Sequence, residues 1–132
     1  MHVLVTEQNP GRGDEMARRL RYLGCVVSTC HSGNADICNG VVPGGCPLEG
    51  REPADMVIAV RGEEEFTARE YGAVCGARAG LPVVLTGLDW QDKPPVPDGL
   101  QSRVTAIRQN ALLAGCVDAL REEKAMNERE SR

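Results

Sequence analysis

Four short apolar runs constrain this chain more than anything else in it. They are Val3-Leu4-Val5-Thr6, Cys25-Val26-Val27-Ser28-Thr29, Met56-Val57-Ile58-Ala59-Val60 and Pro82-Val83-Val84-Leu85-Thr86. Each is rich in β-branched residues and none alternates apolar with polar positions, the pattern of strands covered on both faces in a parallel sheet. Helical spacing fills the intervals. Asp14 is a candidate N-cap, Met16, Ala17, Leu20 and Leu23 follow on one stripe, and Gly24 ends the run. A second helix is expected from Thr67, its cap, to Ala79, with Gly80 as its stop, and a long helix from Gln101 to Met126. Strands alternating with helices predict an α/β fold. It is a single parallel sheet of four or five strands in three layers, with right-handed crossovers and a long C-terminal helix. The domain is expected over residues 1–127, with 128–132 as a frayed tail.

At 132 residues and 42% hydrophobic content the chain suits one domain with one core. No apolar run approaches the ~18–20 residues of a membrane span. The opening Met1-His2-Val3-Leu4-Val5 reads as a strand rather than a secretion signal. The expected compartment is the cytoplasm, with no membrane association. Fifteen basic against nineteen acidic residues give a net charge of −4 with no basic stripe, which argues against direct nucleic-acid binding.

One stretch breaks every periodicity. Residues 31–54 hold five glycines and three prolines, and the cysteines Cys30, Cys38 and Cys46 punctuate its course. With Cys75 the spacing is Cys30-x7-Cys38-x7-Cys46-x28-Cys75. Four thiolates are the usual ligand set of an iron–sulfur cluster. Glycines let the chain converge on such a centre, and Pro47 stiffens the loop beside Cys46. Arg51 and Arg61 are candidates to offset cluster charge. The expected cofactor is an iron–sulfur cluster, of the 4Fe–4S type, on Cys30, Cys38, Cys46 and Cys75. Zinc is the alternative, although paired Cys-x2-Cys knuckles are missing. No catalytic residue is assigned. If Cys75 lies eight residues into a helix starting at Thr67, it sits ~12 Å along the axis, and the loop must fold down beside that helix to reach it. Cys25 and Cys116, set among apolar neighbours, read as small core hydrophobes.

The first strand and its helix, Ala54-Asp55-Met56-Val57-Ile58-Ala59-Val60 and Leu81-Pro82-Val83-Val84-Leu85-Thr86-Gly87 together resemble the receiver domain of bacterial response regulators. The resemblance covers most of residues 1–87 and implies a flavodoxin-like architecture. Its reactive residues are largely missing. Only Glu7 stands where receivers carry an acidic pair, and Val60 and Arg61 stand where the phosphoacceptor Asp closes the third strand. Thr86 matches the receiver hydroxyl, but the Lys after a fifth strand has no counterpart, and no fifth strand is evident. Aspartyl phosphorylation is excluded at that position. The resemblance implies a degenerate receiver: a regulatory module, here sensing redox state or a gas through its cysteine loop, and acting on a protein partner such as a kinase or regulator. Homodimerisation through residues 101–126 is a further expectation. Two alternatives stand beside it. One is a thiol-dependent redox enzyme using Cys30 and His31; the other is a metal-free interaction domain.

Gly11-Arg12-Gly13, between the first strand and its helix, has the look of a phosphate cradle but lacks the remaining glycine and the Lys-Ser/Thr of the nucleotide-binding loops, and reads as a turn. Trp90 is either an interaction anchor or a lid on the sheet edge.

Overall fold

A computed structural model describes residues 1–31, 45–49, 51–63 and 65–130. Strand β1 (His2–Glu7) leads through α1 (Asp14–Tyr22) to β2 (Val26–Thr29). Strand β3 (Met56–Val60) leads through a single 3-10 turn (Ala68–Glu70) and α2 (Tyr71–Arg78) to β4 (Val83–Thr86), followed by β5 (Thr105–Ala106) and α3 (Gln109–Glu130). The five strands form one sheet in the order β2-β1-β3-β4-β5, and every pairing is parallel. This is the doubly wound order of flavodoxin-like proteins, so the expected α/β class holds.

The sheet separates two cores, one per face. On one side Val3, Val5, Ile58 and Val60 pack with Met16 and Leu20 of α1 and with Leu112 and Cys116 of α3. On the other, Leu4, Val57, Ala59, Val83 and Leu85 pack with Ala73 of α2, Cys30 and Ala54, with Leu48 lying against them. The alternation along β1 and β3 explains why the strands read as unbroken apolar runs: odd and even positions each meet a covering layer. Gly24 and Gly80 close α1 and α2 at φ +103° and +79°, the left-handed conformation that ends helices and that glycine adopts at little cost.

Several boundaries differ from the sequence reading. Gly13, not Asp14, is the N-cap of α1, and Asp14 is its first residue. The last helix begins at Gln109 rather than Gln101, because residues 101–103 turn and Thr105–Ala106 pair with Val84 and Leu85 as a fifth strand. A strand of two residues carries no period, so it leaves no sequence signature. Thr67 is the N-cap of the turn that leads into α2, as expected: its N–H donates to the Glu70 carboxylate at 2.8 Å in a capping box, and its hydroxyl also donates to the Gln8 carbonyl. Among the described residues no helix is long and apolar enough to cross a membrane.

Cys25 and Cys116 fulfil the core role expected of them. Both are buried in the α1/α3 core, and burial pushes both thiols above the ordinary range. The consequence is a stability that falls in alkali. An unfolded thiol loses its proton near pH ~8.5, whereas the folded chain keeps it to higher pH, so the stabilisation is complete below that value and declines as pH rises through the raised folded values. Urea midpoints measured across that range should fall with pH in the wild type. The fall should be shallower in Cys25→Ala/Cys116→Ala; equal slopes would rule the thiols out as its source.

Candidate functional site

In a doubly wound sheet ligands bind at the carboxyl ends of the strands, beside the strand where the order reverses. Here that strand is β1, and the edge between its end and that of β3 is filled by the chain itself. Arg61, the residue after β3, is fully buried. Its Nε donates to Glu70 Oε1 at 2.7 Å, one terminal nitrogen donates to the Pro95 carbonyl at 2.5 Å and the other to the Glu65 carbonyl at 3.2 Å. Its charge is committed to Glu70, which corrects the expectation that Arg61 offsets a cluster. Gln8, just past β1 and also buried, accepts from the N–H groups of Gly62 and Glu63 and donates to the carbonyls of Glu65 and Glu63. A guanidinium and a primary amide therefore fill the edge between the ends of β1 and β3.

Glu7 closes the neighbouring position in the same way. Its carboxylate accepts from the backbone N–H of Gly11 at 3.1 Å and of Gly13 at 2.8 Å, and pairs with Arg69 at 3.0 Å. The Gly11-Arg12-Gly13 turn does present amides to an anion, but the anion is an internal carboxylate. That accounts for a phosphate-like turn without a phosphate-binding motif.

Next to Glu7 a cavity of about 340 Å3 opens at the ends of β1 and β2. Thr6, Glu7, Asp14, Thr29, Cys30, His31 and Arg69 are among its lining residues. Cys30 and His31 are both buried and both reach it, so the chain turns between them; the Thr29 hydroxyl donates to the His31 carbonyl at 3.0 Å.

The four cysteines expected to hold a metal fall as follows. Cys30, at the end of β2, packs into the core on the α2 face of the sheet. Its sulfur lies against Gly72, in the first turn of α2, where there is no side chain to hold it off. Cys46 is half-buried and shares a second cavity with His2, Ser28 and Arg51; Leu48, two residues on, belongs to the same core as Cys30. Glu52 is tied to β1 and β2 through His2, whose ring nitrogens bond the Glu52 carbonyl at 2.8 Å and the Ser28 hydroxyl at 2.6 Å. Cys75 is exposed on α2, three residues beyond Gly72. The expected obstacle is thereby reduced, because α2 starts at Tyr71 and its first turn touches Cys30 directly. Cys38 lies outside the described residues. The three placed cysteines lie on segments that cover one face of the sheet. Soft thiolate donors of this kind suit iron–sulfur clusters or zinc. Among the described residues no three His, Cys, Asp or Glu side chains are grouped so as to hold a metal ion by themselves.

Trp90 bears on neither cavity. It is half exposed, with the Arg19 guanidinium 4.2 Å from its ring centroid, and borders an apolar groove between α1 and α3. Sequence reading passed over Gln8, Arg69 and the Arg61–Glu70 pair. Glu70 had a local signal, since it stands three residues after Thr67 where a helix-opening carboxylate is expected. Gln8 had none. No protein-family model and no curated protein sequence matches this chain.

Proposed function

We propose that this chain is a non-catalytic regulatory module of receiver-like architecture, in which Cys30, Cys38, Cys46 and Cys75 hold a thiolate-ligated metal centre, an iron–sulfur cluster in the first instance. The observation that supports the reading is that Cys30, the segment of Cys46 through Leu48 and Ala54, and α2 with Cys75 through Ala73 all belong to the cover of one face of the sheet. The filled strand edge supports it from the other side. With Arg61, Glu70 and Gln8 bonded to one another's loops, the position of phosphoryl chemistry is given over to structure, and a signal must enter elsewhere. A bound cluster would supply one-electron redox chemistry or reactivity toward oxygen or nitric oxide. The chain's own part is to bring the thiolates together, to keep the α2 face dry behind them through Leu4, Ala73 and Leu48, and to pass a rearrangement of segment 30–54 to a protein partner. The reading requires a reducing compartment such as the cytosol, where cysteines remain thiols.

Anaerobic purification followed by iron, acid-labile sulfide and zinc analysis tests it. Expected are coloured protein, iron and sulfide in equal amounts, and loss of both in Cys30→Ser or Cys75→Ser chains that still fold. Colourless, metal-free protein overturns the reading, and zinc in place of iron overturns the cluster assignment.

A further inference from the structure

Helix α3 is longer than the sheet it covers. Its 22 residues span ~33 Å, against ~20 Å for the six residues of β1. Its buried residues end at Cys116, Leu120 is half-buried, and from Arg121 to Glu130 every residue except Ala125 is exposed. A helix end of this kind gains little from propensity alone and is stabilised by packing against something.

The outward face of α3 carries a pattern of its own. Ala111, Ala114, Asp118, Arg121 and Ala125 recur at alternating intervals of three and four residues, the spacing of a helix-pairing seam, and lie away from the row of Leu112 and Cys116 that faces the sheet. Four of the five are exposed and Ala125 is half-buried. Apolar grooves flank this stripe on both sides. One, against α1, holds Val117 and the exposed Tyr22; the other holds Ile107 beside Ala119. The stripe is thus a low ridge between two grooves, the relief that a second helix packs into.

The charges on the ridge select the second helix. Read backwards about the point midway between Asp118 and Arg121, the stripe matches itself: Asp118 meets the partner's Arg121, Arg121 meets the partner's Asp118, and Ala114 meets the partner's Ala125. An in-register parallel alignment would set Asp118 on Asp118. Among the described residues neither Asp118 nor Arg121 takes part in an ion pair within its own chain. We infer that α3 is the interface of a homodimer, in which two copies of this chain pair antiparallel along this stripe and the free end of each α3 lies along the domain of the other. A pattern complementary to itself is what an isologous contact requires. The pairing narrows the expected dimer contact from residues 101–126 to one face of α3, and it does not depend on the metal reading. The overlap of ~18 residues is ~27 Å long, which falls short of the ~800 Å2 per partner of a standard interface, so the dimer is expected to dissociate in the micromolar range.

Sedimentation equilibrium of the full chain, in reductant so that the exposed Cys75 forms no cross-link, tests the pairing from a few to several hundred micromolar. The wild type should pass from monomer to dimer across that range. Asp118→Arg and Arg121→Glu each place like charges opposite one another twice in the dimer, and each should weaken self-association by ~10-fold or more. Both positions are exposed, so the variants keep their fold, which circular dichroism checks. The decisive sample is an equimolar mixture of the two variants. In the mixed dimer every facing pair is again opposite in charge, so the mixture should associate as the wild type does although neither component does so alone. A wild type that stays monomeric throughout, or variants that dimerise like the wild type, overturns the interface. A mixture that stays monomeric while the wild type dimerises overturns the antiparallel pairing of Asp118 with Arg121.

Discussion

Glu70→Gln lowers the unfolding free energy by about 3–5 kcal/mol, the usual cost of leaving one member of a buried ion pair without its partner. The size follows from burial. Arg61 and Glu70 are 0% and 1% exposed, so neither water nor salt can take over when the carboxylate becomes an amide. Gln still offers an oxygen to Arg61 Nε, but its NH2 replaces the oxygen that accepts from the Thr67 N–H, so charge and one acceptor are lost while the shape is retained. Urea denaturation should show a lower midpoint with an unchanged slope. Arg61→Met/Glu70→Leu should be less damaging than Glu70→Gln, because removing both charges leaves neither stranded, although the carbonyls of Pro95 and Glu65 then lose their donor. A Glu70→Gln chain within ~0.5 kcal/mol of wild type, the range of an ordinary surface change, would show that the pair contributes nothing.

Gln8→Ala is the second large effect, at about 2–4 kcal/mol. Each buried backbone group deprived of its partner costs ~1–3 kcal/mol, and four contacts to residues 62–65 depend on this one amide. The sum is held down because Gly62, Glu63 and Glu65 lie near solvent, and water can replace part of what is removed. Gln8→Glu separates geometry from hydrogen-bond polarity. It keeps the acceptor for Gly62 and Glu63 but turns a carboxylate toward the carbonyls of Glu63 and Glu65. The variant should be at least as damaged as Gln8→Ala at neutral pH and should recover in acid, where protonation restores one donor. Parallel pH dependence in the two variants would sink this account.

What the sequence made legible follows from how each feature is encoded. β1, β3 and β4 announced themselves because both their faces are covered, so that Val3 and Leu4, or Val57 and Ile58, are apolar for different cores yet read as one run, whereas β2, expected to be covered in the same way, is a largely exposed edge strand. α1 was readable because Met16, Ala17 and Leu20 keep helical spacing up to a terminating glycine. β5 was not, since two residues carry no pattern, and the start of the last helix was misplaced with it. The cysteine constellation was legible by composition alone. The place of Cys30 was not, because it packs against Gly72, which has no side chain to mark the contact. Arg61 and Glu70 are nine positions apart, and their pairing depends on a tertiary turn that no local period foretells. The Glu7 carboxylate satisfies the amides of the glycine turn from within the chain, so the turn carries the look of an anion site without the residues of one.

The buried guanidinium has a dynamic consequence. It is bonded at one time to Glu70 at the threshold of α2, to Glu65 in the connection before it, and to Pro95 in the connection after β4. None of these three segments can open to solvent without breaking the same node. Their amide protons should therefore exchange through one shared opening event, at a protection well above that of ordinary surface loops, and should slip together into fast exchange when the node is cut.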